Sequence, residues 1–520
     1  MSCFKSFQLL LHFMLLPSIP AWTQDLARRR ATTSVLSTIS QMPFEKETVA
    51  IIGGGIAGLS CANALQSSGK FLPTVFDTGR LRPGGRCASR LPQDRPSSKL
   101  GERTISSKVQ SSQRWSGNIV DHAAQILTVP ADYTEFQKQV DLWEQQNIVA
   151  KFPKGVVNTI SNPWNPKTKQ YDKSKLRLIP IPTNQNDCEN PMYFGVNGMQ
   201  SIPTAMARDI HLEQDVWVSP SNGVQFMNTS SGKQRWEIKA KGKVLGRFDK
   251  LVIAHNGKCA DRLMSTTPAK DLHRLLQVNF APFVGKDGGR KMTLNSLYSL
   301  TFVVPKDSIL SKALPQDQFT CGFVKNHPNL RFLSCNTRKF SSIPTSNLST
   351  TNDQTEVWTL LSSAKFGKAY KGPQENLPDA LVEQVTGCLL ESLEESLILP
   401  LGSLTGLQDP STPYDSHKNV NIHDSQLQLW GAGVPVNTWV SKDPQSQGFL
   451  YDDEWGVGAC GDWLLEPSLA GAWESGRRLA QCLITSDLES EVSSKRIGLE
   501  GTFAASKAVD SVGIGSLSNV

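Results

Sequence analysis

The stretch that decides the fold is Val49–Lys70, VAIIGGGIAGLSCANALQSSGK. Val49, Ala50, Ile51 and Ile52 form a short apolar run, the pattern of a strand buried on both faces of a parallel sheet. Gly53, Gly55 and Gly58 follow in G-x-G-x-x-G spacing, and Leu59, Ala62 and Leu65 continue at helical spacing towards a stop at Gly69. Gly53 permits a tight turn, Gly55 lets the backbone approach a pyrophosphate, and Gly58 lets the helix pack on its strand. Ile56 and Ala57 occupy the first helical turn, whose N–H groups favour negative charge. PTVFD then ends a second strand on Asp77, 19 residues beyond Gly58, where a carboxylate can accept hydrogen bonds from ribose hydroxyls. A glycine triplet alone is a weak signal. Strand, loop, helix and acid at these distances predict a dinucleotide site.

Two further segments repeat the same physics. RPGGRCASR follows Asp77, and Gly84 and Gly85 again admit close backbone approach. Arg86 there can neutralise a phosphate or sit near a flavin ring, while Arg80, Arg82 and Arg90 read as a basic surface turn. GVGACGDWLLEPSLAGAWESGRRLAQCL at Gly456–Leu483 predicts a strand ending at Gly461-Asp462 and a helix with small residues Ala470, Gly471, Ala472 and Gly476. That helix N-terminus would face the cofactor, with Asp462 on its ribityl or pyrophosphate portion.

Together these motifs resemble the FAD-containing amine oxidase group, and within it the renalase-like branch with its bacterial, plant and algal plastid-type members. DHAAQILT at Asp121–Thr128 is similar to the group's D-x-G-A-Q segment, and YFGVNGMQSIPTAMA at Tyr193–Ala207 to its G-V-P-G-M segment. FDKLVIAHNGKCADRL and LQLWGAGVPVNTW resemble the plastid-associated members. Asp77 replaces the usual Glu, Ala123 a glycine, Asn197 a proline, and His255-Asn256-Gly257 an Ala-x-Pro stretch; these departures bear on amine oxidation more than on flavin binding. The resemblance implies FAD, a small amine or dihydronicotinamide-type substrate, and an acceptor such as oxygen; no cysteine is clearly placed for a thioether, so the FAD is expected to be noncovalent. It implies an α/β fold with a Rossmann-type (GR2-like) FAD-binding domain over 45–130, 190–265 and 415–485. An α+β substrate domain would be inserted at 131–189 and 266–414.

Flavin chemistry needs little acid–base apparatus from the protein, because the cofactor takes the hydride. No H-E-x-x-H, G-x-S-x-G or metal-spaced histidine pair occurs, so neither metal ligands nor catalytic residues are assigned. His122 reads as a structural histidine. Gln125 either faces the ring or packs, Tyr193 and Trp430 are pocket-wall or core aromatics, and Trp463 and Trp473 read as packing.

The 520 residues carry 54 basic and 47 acidic side chains, a net charge of +7 spread along the chain, which argues against nucleic acid as a partner. Hydrophobic content of 39% with 12 Trp and 21 Phe can fill a sizeable core. The closest of the ten cysteines, Cys321 and Cys335, lie 14 positions apart, which predicts buried thiols. Residues 1–44 pair an interrupted apolar stretch with an Arg-, Ser- and Thr-rich run whose only acid is Asp25. This resembles a signal peptide followed by a transit peptide, the two-part address of secondary plastids; simple secretion is the alternative. No run is long enough to span a bilayer. Leu91–Asn118 and Ser341–Gln354 read as polar loops, residues 378–398 as a helix, and 486–520 as a disordered tail. Two other readings share the nucleotide motifs: a carotenoid desaturase or isomerase, and a non-catalytic escort protein.

Overall fold

Five strands lie parallel in the order β3-β2-β1-β4-β5: β1 (Glu47–Ile52), β2 (Phe71–Phe76), β3 (His211–Glu213), β4 (Lys250–Ile253) and β5 (Val457–Ala459). Leu450–Asp452 and Arg496–Ile497 extend this sheet antiparallel beyond β5. A computed structural model describes residues 46–506, apart from stretches at 95–114, 172–176, 182–190, 342–353 and 487–495 and a few shorter gaps. The 1–44 address, most of both polar loops and residues 507–520 lie outside the described residues. β1 is apolar because both its faces are covered: Val49, Ala50 and Ile51 are fully buried. The helix α1 (Ile56–Ser67) can sit this close only because residue 58 is glycine, since a Cβ there would stand 2.0 Å from the Gly53 carbonyl oxygen. The Leu469–Ser486 helix approaches equally closely; a Cβ on Gly476 would stand 2.0 Å from the Ala57 oxygen. Between β3 and β4 the chain forms an antiparallel meander of Val224–Asn228, Gln234–Ala240 and Lys243–Phe248.

The second seven-stranded sheet places Arg177–Pro180, Val157–Ser161, Cys321–Lys325, Leu330–Cys335, Thr355–Ser362, Leu297–Pro305 and Asp424–Trp430 side by side. All its pairs are antiparallel except Val157–Ser161 with Cys321–Lys325. The helix Asp379–Leu397, close to the predicted 378–398, packs Val382, Val385, Leu389 and Leu393 into one cluster with Tyr298, Leu300, Phe302 and Trp358 of this sheet. A short helix, Asn336–Ser341, ties the sheet to the nucleotide half. Its Lys339 Nζ lies 2.8 Å from Asp121 Oδ2, and both side chains are fully buried. Asp121 Oδ1 also accepts from the Met199 amide at 2.8 Å and from Ser89 Oγ at 2.5 Å. Asn336 Oδ1 accepts from the Asp121 amide and Thr359 Oγ1 donates to the Asp121 carbonyl, at 3.0 and 2.9 Å.

The structure redraws several expectations. The helix Thr134–Gln145, expected in the substrate domain, packs Phe136, Val140 and Trp143 into the same core as Val49 and Leu59. Conversely Asp424–Trp430, expected in the FAD-binding domain, is an edge strand of the second sheet. Apolar strands look alike in either sheet, so periodicity could not allot them. Asp215–Val218 carries a strand-like pattern in the sequence but is not a strand; Asp215 has φ of 55°, and only Val218 bridges, to Ala240.

The tail is the largest correction. Gly501–Ala505, expected to be disordered, pairs antiparallel with Asn437–Ser441. Phe503, 5% exposed, packs edge-on against Trp439 at 5.0 Å. Its Ser- and Gly-rich surroundings concealed a short apolar pattern. Phe503→Ala is therefore expected to lower folding stability by about 3–4 kcal/mol, read by denaturant unfolding. Unchanged stability would return the segment to disorder.

Candidate cofactor site

A cavity of about 380 Å³ lies at the carboxyl ends of the parallel strands, where the strand order reverses between β1 and β4. That crevice is where open α/β sheets bind ligands. It runs from Asp77 at the end of β2, past the glycine loop, to Arg86 and Trp430. Every residue assigned to the cofactor from sequence lines it, except Gly58, whose role is packing. Gly53 turns the chain with φ of 118°. A Cβ on Gly55 would meet nothing within 4 Å, so this backbone is open to a close neighbour, and no side chain caps the N-terminus of α1. Uncapped N–H groups at a glycine loop suit a pyrophosphate. The second glycine pair folds onto the first: the Gly84 amide donates to the Gly54 carbonyl at 2.8 Å.

At one end, Asp77 is 8% exposed. Its Oδ1 accepts a long bond from the Gly54 amide at 3.4 Å, while Oδ2 is buried without a hydrogen bond. Burial raises its pKa against the backbone N–H groups of Gly54, Gly79 and Thr78, which favour the carboxylate. A buried acceptor left open on a cavity wall fits a ribose hydroxyl. Trp217 lines the same end, 57% exposed, and sequence reasoning missed it. The Val216 amide fixes the segment by donating to the Asp77 carbonyl at 2.9 Å. An exposed tryptophan beside the ribose position offers a flat face to a purine.

Towards the other end, Arg86 Nη2 pairs with Asp462 Oδ2 at 2.7 Å, and Nη1 donates to the Gly433 carbonyl at 3.0 Å. The sequence reading gave these two residues separate tasks; the structure makes them partners. Asp462 is buried while Arg86 is about one-third exposed, so the pair turns its positive side to the cavity. Trp430, Ala124 and Gln374 form the wall beyond. His122 stacks behind Trp430 with centroids 5.6 Å apart. Burial, then the charge of Arg90, holds His122 well below the usual histidine range, so it is neutral at physiological pH. Trp463 also lines the cavity while belonging to the core, whereas Trp473 packs on Phe136.

Gln125 and Tyr193 do not reach the cavity. The Gln125 amide donates to the Asp121 carbonyl at 2.6 Å and its Oε1 accepts from Lys339 at 3.0 Å, so it serves the junction between the halves. Tyr193 is fully buried in the strand Met192–Gly195, with the Lys151 ammonium 5.5 Å from its ring. Arg90 is not a surface residue either: it is 9% exposed and donates to Gln428 Oε1 at 2.6 Å. Arg80 and Arg82 do sit in a turn, near Asp215 and Asp94. The cavity also recruits His255, Asn256 and Cys259. Their only signal in the sequence was the His255-Asn256-Gly257 departure from the amine oxidase pattern.

Residues 51–145 match the family model described as an NAD(P)-binding Rossmann-like domain. Among solved structures, the chain is similar to a tetracycline destructase, at 12% identity and a TM-score of 0.40, covering 87% of this chain and 85% of that one. It is similar to 2,6-dihydroxypyridine-3-hydroxylase from Arthrobacter nicotinovorans, at 10% identity and a TM-score of 0.42, covering 86% and 85%. A redesigned triple mutant of putrescine oxidase gives 14% identity and a TM-score of 0.45 over 85% and 99%. The assignment of the domain rests on its strand order and on the family match; the sheet is Rossmann-like.

Two stability effects follow from these charges. Because burial raises the Asp77 pKa, the stability tied to its protonated form is present at low pH and lost as pH rises through the native value. Asp77→Asn should therefore raise the melting temperature of nucleotide-free protein at neutral pH and flatten that pH dependence. Arg86→Ala strands the buried Asp462 and should cost about 3 kcal/mol, while adding Asp462→Asn should recover most of the loss, both read by denaturant unfolding.

Proposed function

We propose that this cavity holds FAD noncovalently and that the chain is an FAD-dependent oxidoreductase of renalase-like type. It would take a hydride from a small amine or dihydronicotinamide-type substrate and pass electrons to an acceptor such as oxygen. The carrying observation is one continuous cavity with two chemically different ends. An unsatisfied carboxylate oxygen and an exposed tryptophan suit an adenosine at one end, and the Arg86–Asp462 pair with Trp430 suits a flat redox-active ring at the other. FAD, when bound, supplies the group that accepts the hydride.

The chain's own residues then have limited tasks. Asp77 would hold the ribose, and the glycine loop with the start of α1 would take the pyrophosphate. Arg86, fixed on two sides by Gly433 and Asp462, presents positive charge beyond it. Trp430 walls the space where a flat substrate can lie. Neutral His122 keeps that wall in place. Burial pushes the Cys87 thiol up to about 12, so this cavity-lining sulfur is not a thiolate at neutral pH, in keeping with a noncovalent cofactor.

The deciding experiment is the visible spectrum of the purified full chain, before and after anaerobic addition of amines and of NADH or NADPH preparations containing isomeric forms. Stoichiometric flavin that bleaches is the expected result. No flavin after reconstitution with FAD would overturn the reading, and flavin that no donor reduces would favour a non-catalytic flavoprotein. Trp217→Ala is expected to weaken FAD binding about tenfold, a loss of about 1.4 kcal/mol, measured by flavin fluorescence titration. For residues 1–44 the proposal is import into a plastid. A fluorescent protein fused behind residue 44 should localise there, and its release into the medium would favour secretion.

A further inference from the structure

Two exposed lysines from distant parts of the chain meet beside segments that line the cavity. Lys258 opens the helix Lys258–Ser265 and stands between the lining residues Asn256 and Cys259. Lys371 lies just past the helix Ala364–Ala369, three positions before the lining residue Gln374. Both ammonium groups face one ring, that of Phe280: Lys371 Nζ is 4.4 Å and Lys258 Nζ 5.8 Å from its centroid. The segments are held together around them. Gln374 Oε1 accepts from the Gly431 amide at 3.2 Å, next to Trp430, and a Cβ on Gly257 would lie 3.4 Å from that of Ala432.

Partial burial, and then the like charges of Lys258 and Lys368, lower the Lys371 pKa. Among the described residues, no carboxylate pairs with any of the three. Converging like charges raise the energy of the folded state unless a counter-charge arrives from elsewhere, and the Phe280 ring offsets only part of that cost. Through the Gln374–Gly431 contact the Lys371 segment adjoins Trp430, so the charge of the lysines stands near the wall where a flat substrate would lie.

We infer that Lys258 and Lys371 make the cavity selective for a substrate carrying an anionic group, a phosphate or a carboxylate, and against a cationic amine. The inference rests on the flavoenzyme reading and narrows its substrate class. A merely solvated lysine face would show no such preference.

Benzoate, benzamide and benzylamine carry the same ring with charges of −1, 0 and +1, and serve as probes on the full-chain holoenzyme through their perturbation of the flavin spectrum. Benzoate is expected to bind at least about tenfold more tightly than benzylamine at low salt, with the advantage shrinking as salt is added. Lys258→Ala with Lys371→Ala should abolish the preference and leave benzamide unchanged; Lys258→Arg with Lys371→Arg should keep it. Equal affinities for the charged probes, tighter benzylamine, no benzoate binding, or benzoate binding unaffected by the double alanine variant would each overturn the inference. If the chain holds no flavin, the flavoenzyme reading fails instead. The same titrations read by saturation-transfer NMR on the flavin-free chain then decide the role of the lysines by the same criteria.

Discussion

A buried ion pair holds the two halves of the molecule in register. Lys339 and Asp121 are both fully out of water, a placement tolerated only when every oxygen and proton is engaged. Here the carboxylate takes Lys339, the Met199 amide and Ser89 Oγ, and the ammonium also reaches Gln125. Losing either partner of such a pair typically costs about 3–5 kcal/mol, because the other is left charged and dry. Asp121 lies three residues before Ala124, whose amide donates to the Arg86 carbonyl at 3.0 Å. Lys339 belongs to the helix beside the sheet that carries Trp430. The position of Arg86 relative to the Trp430 wall thus depends in part on a contact between residues that do not line the cavity.

The electrostatics of the cavity divide along its length. Where groups lack an opposite charge, burial drives them towards neutrality, as it raises Asp77 and lowers His122 and His255. Elsewhere the ionisable groups are paired, Arg86 with Asp462, or exposed, as Lys258 and Lys371 are.

The geometry of the candidate nucleotide site was legible in the sequence because its residues are constrained by the backbone. Gly53 needs its positive φ, Gly58 has no room for a Cβ, and Asp77 must end β2; each constraint leaves a mark at fixed spacing. Gln125, Tyr193 and Arg90 carried no such mark. Whether a polar side chain turns to a cavity or to a domain junction depends on what lies opposite, and for Gln125 that is Lys339, more than two hundred positions away. Trp217 was illegible for a related reason: an exposed tryptophan in a turn gains meaning only once Asp77 is seen beside it. The tail strand was hidden by composition, since Leu499 and Phe503, both buried, are scattered among Ser, Gly and charged residues.

The sheet order also governs how the chain can assemble. β1 emerges first, yet its neighbour β4 lies about two hundred positions later, as the Thr48–Asp249 contact shows with its separation of 201. Arg86 waits longer still for Asp462, 376 positions on. Pairings this remote close large loops before any contact repays the lost entropy, which slows folding. During synthesis β4 must stand as an open edge until β5 is made, a sticky strand in search of a partner. The nascent chain is therefore most dependent on chaperones over the interval in which its cofactor site is half built.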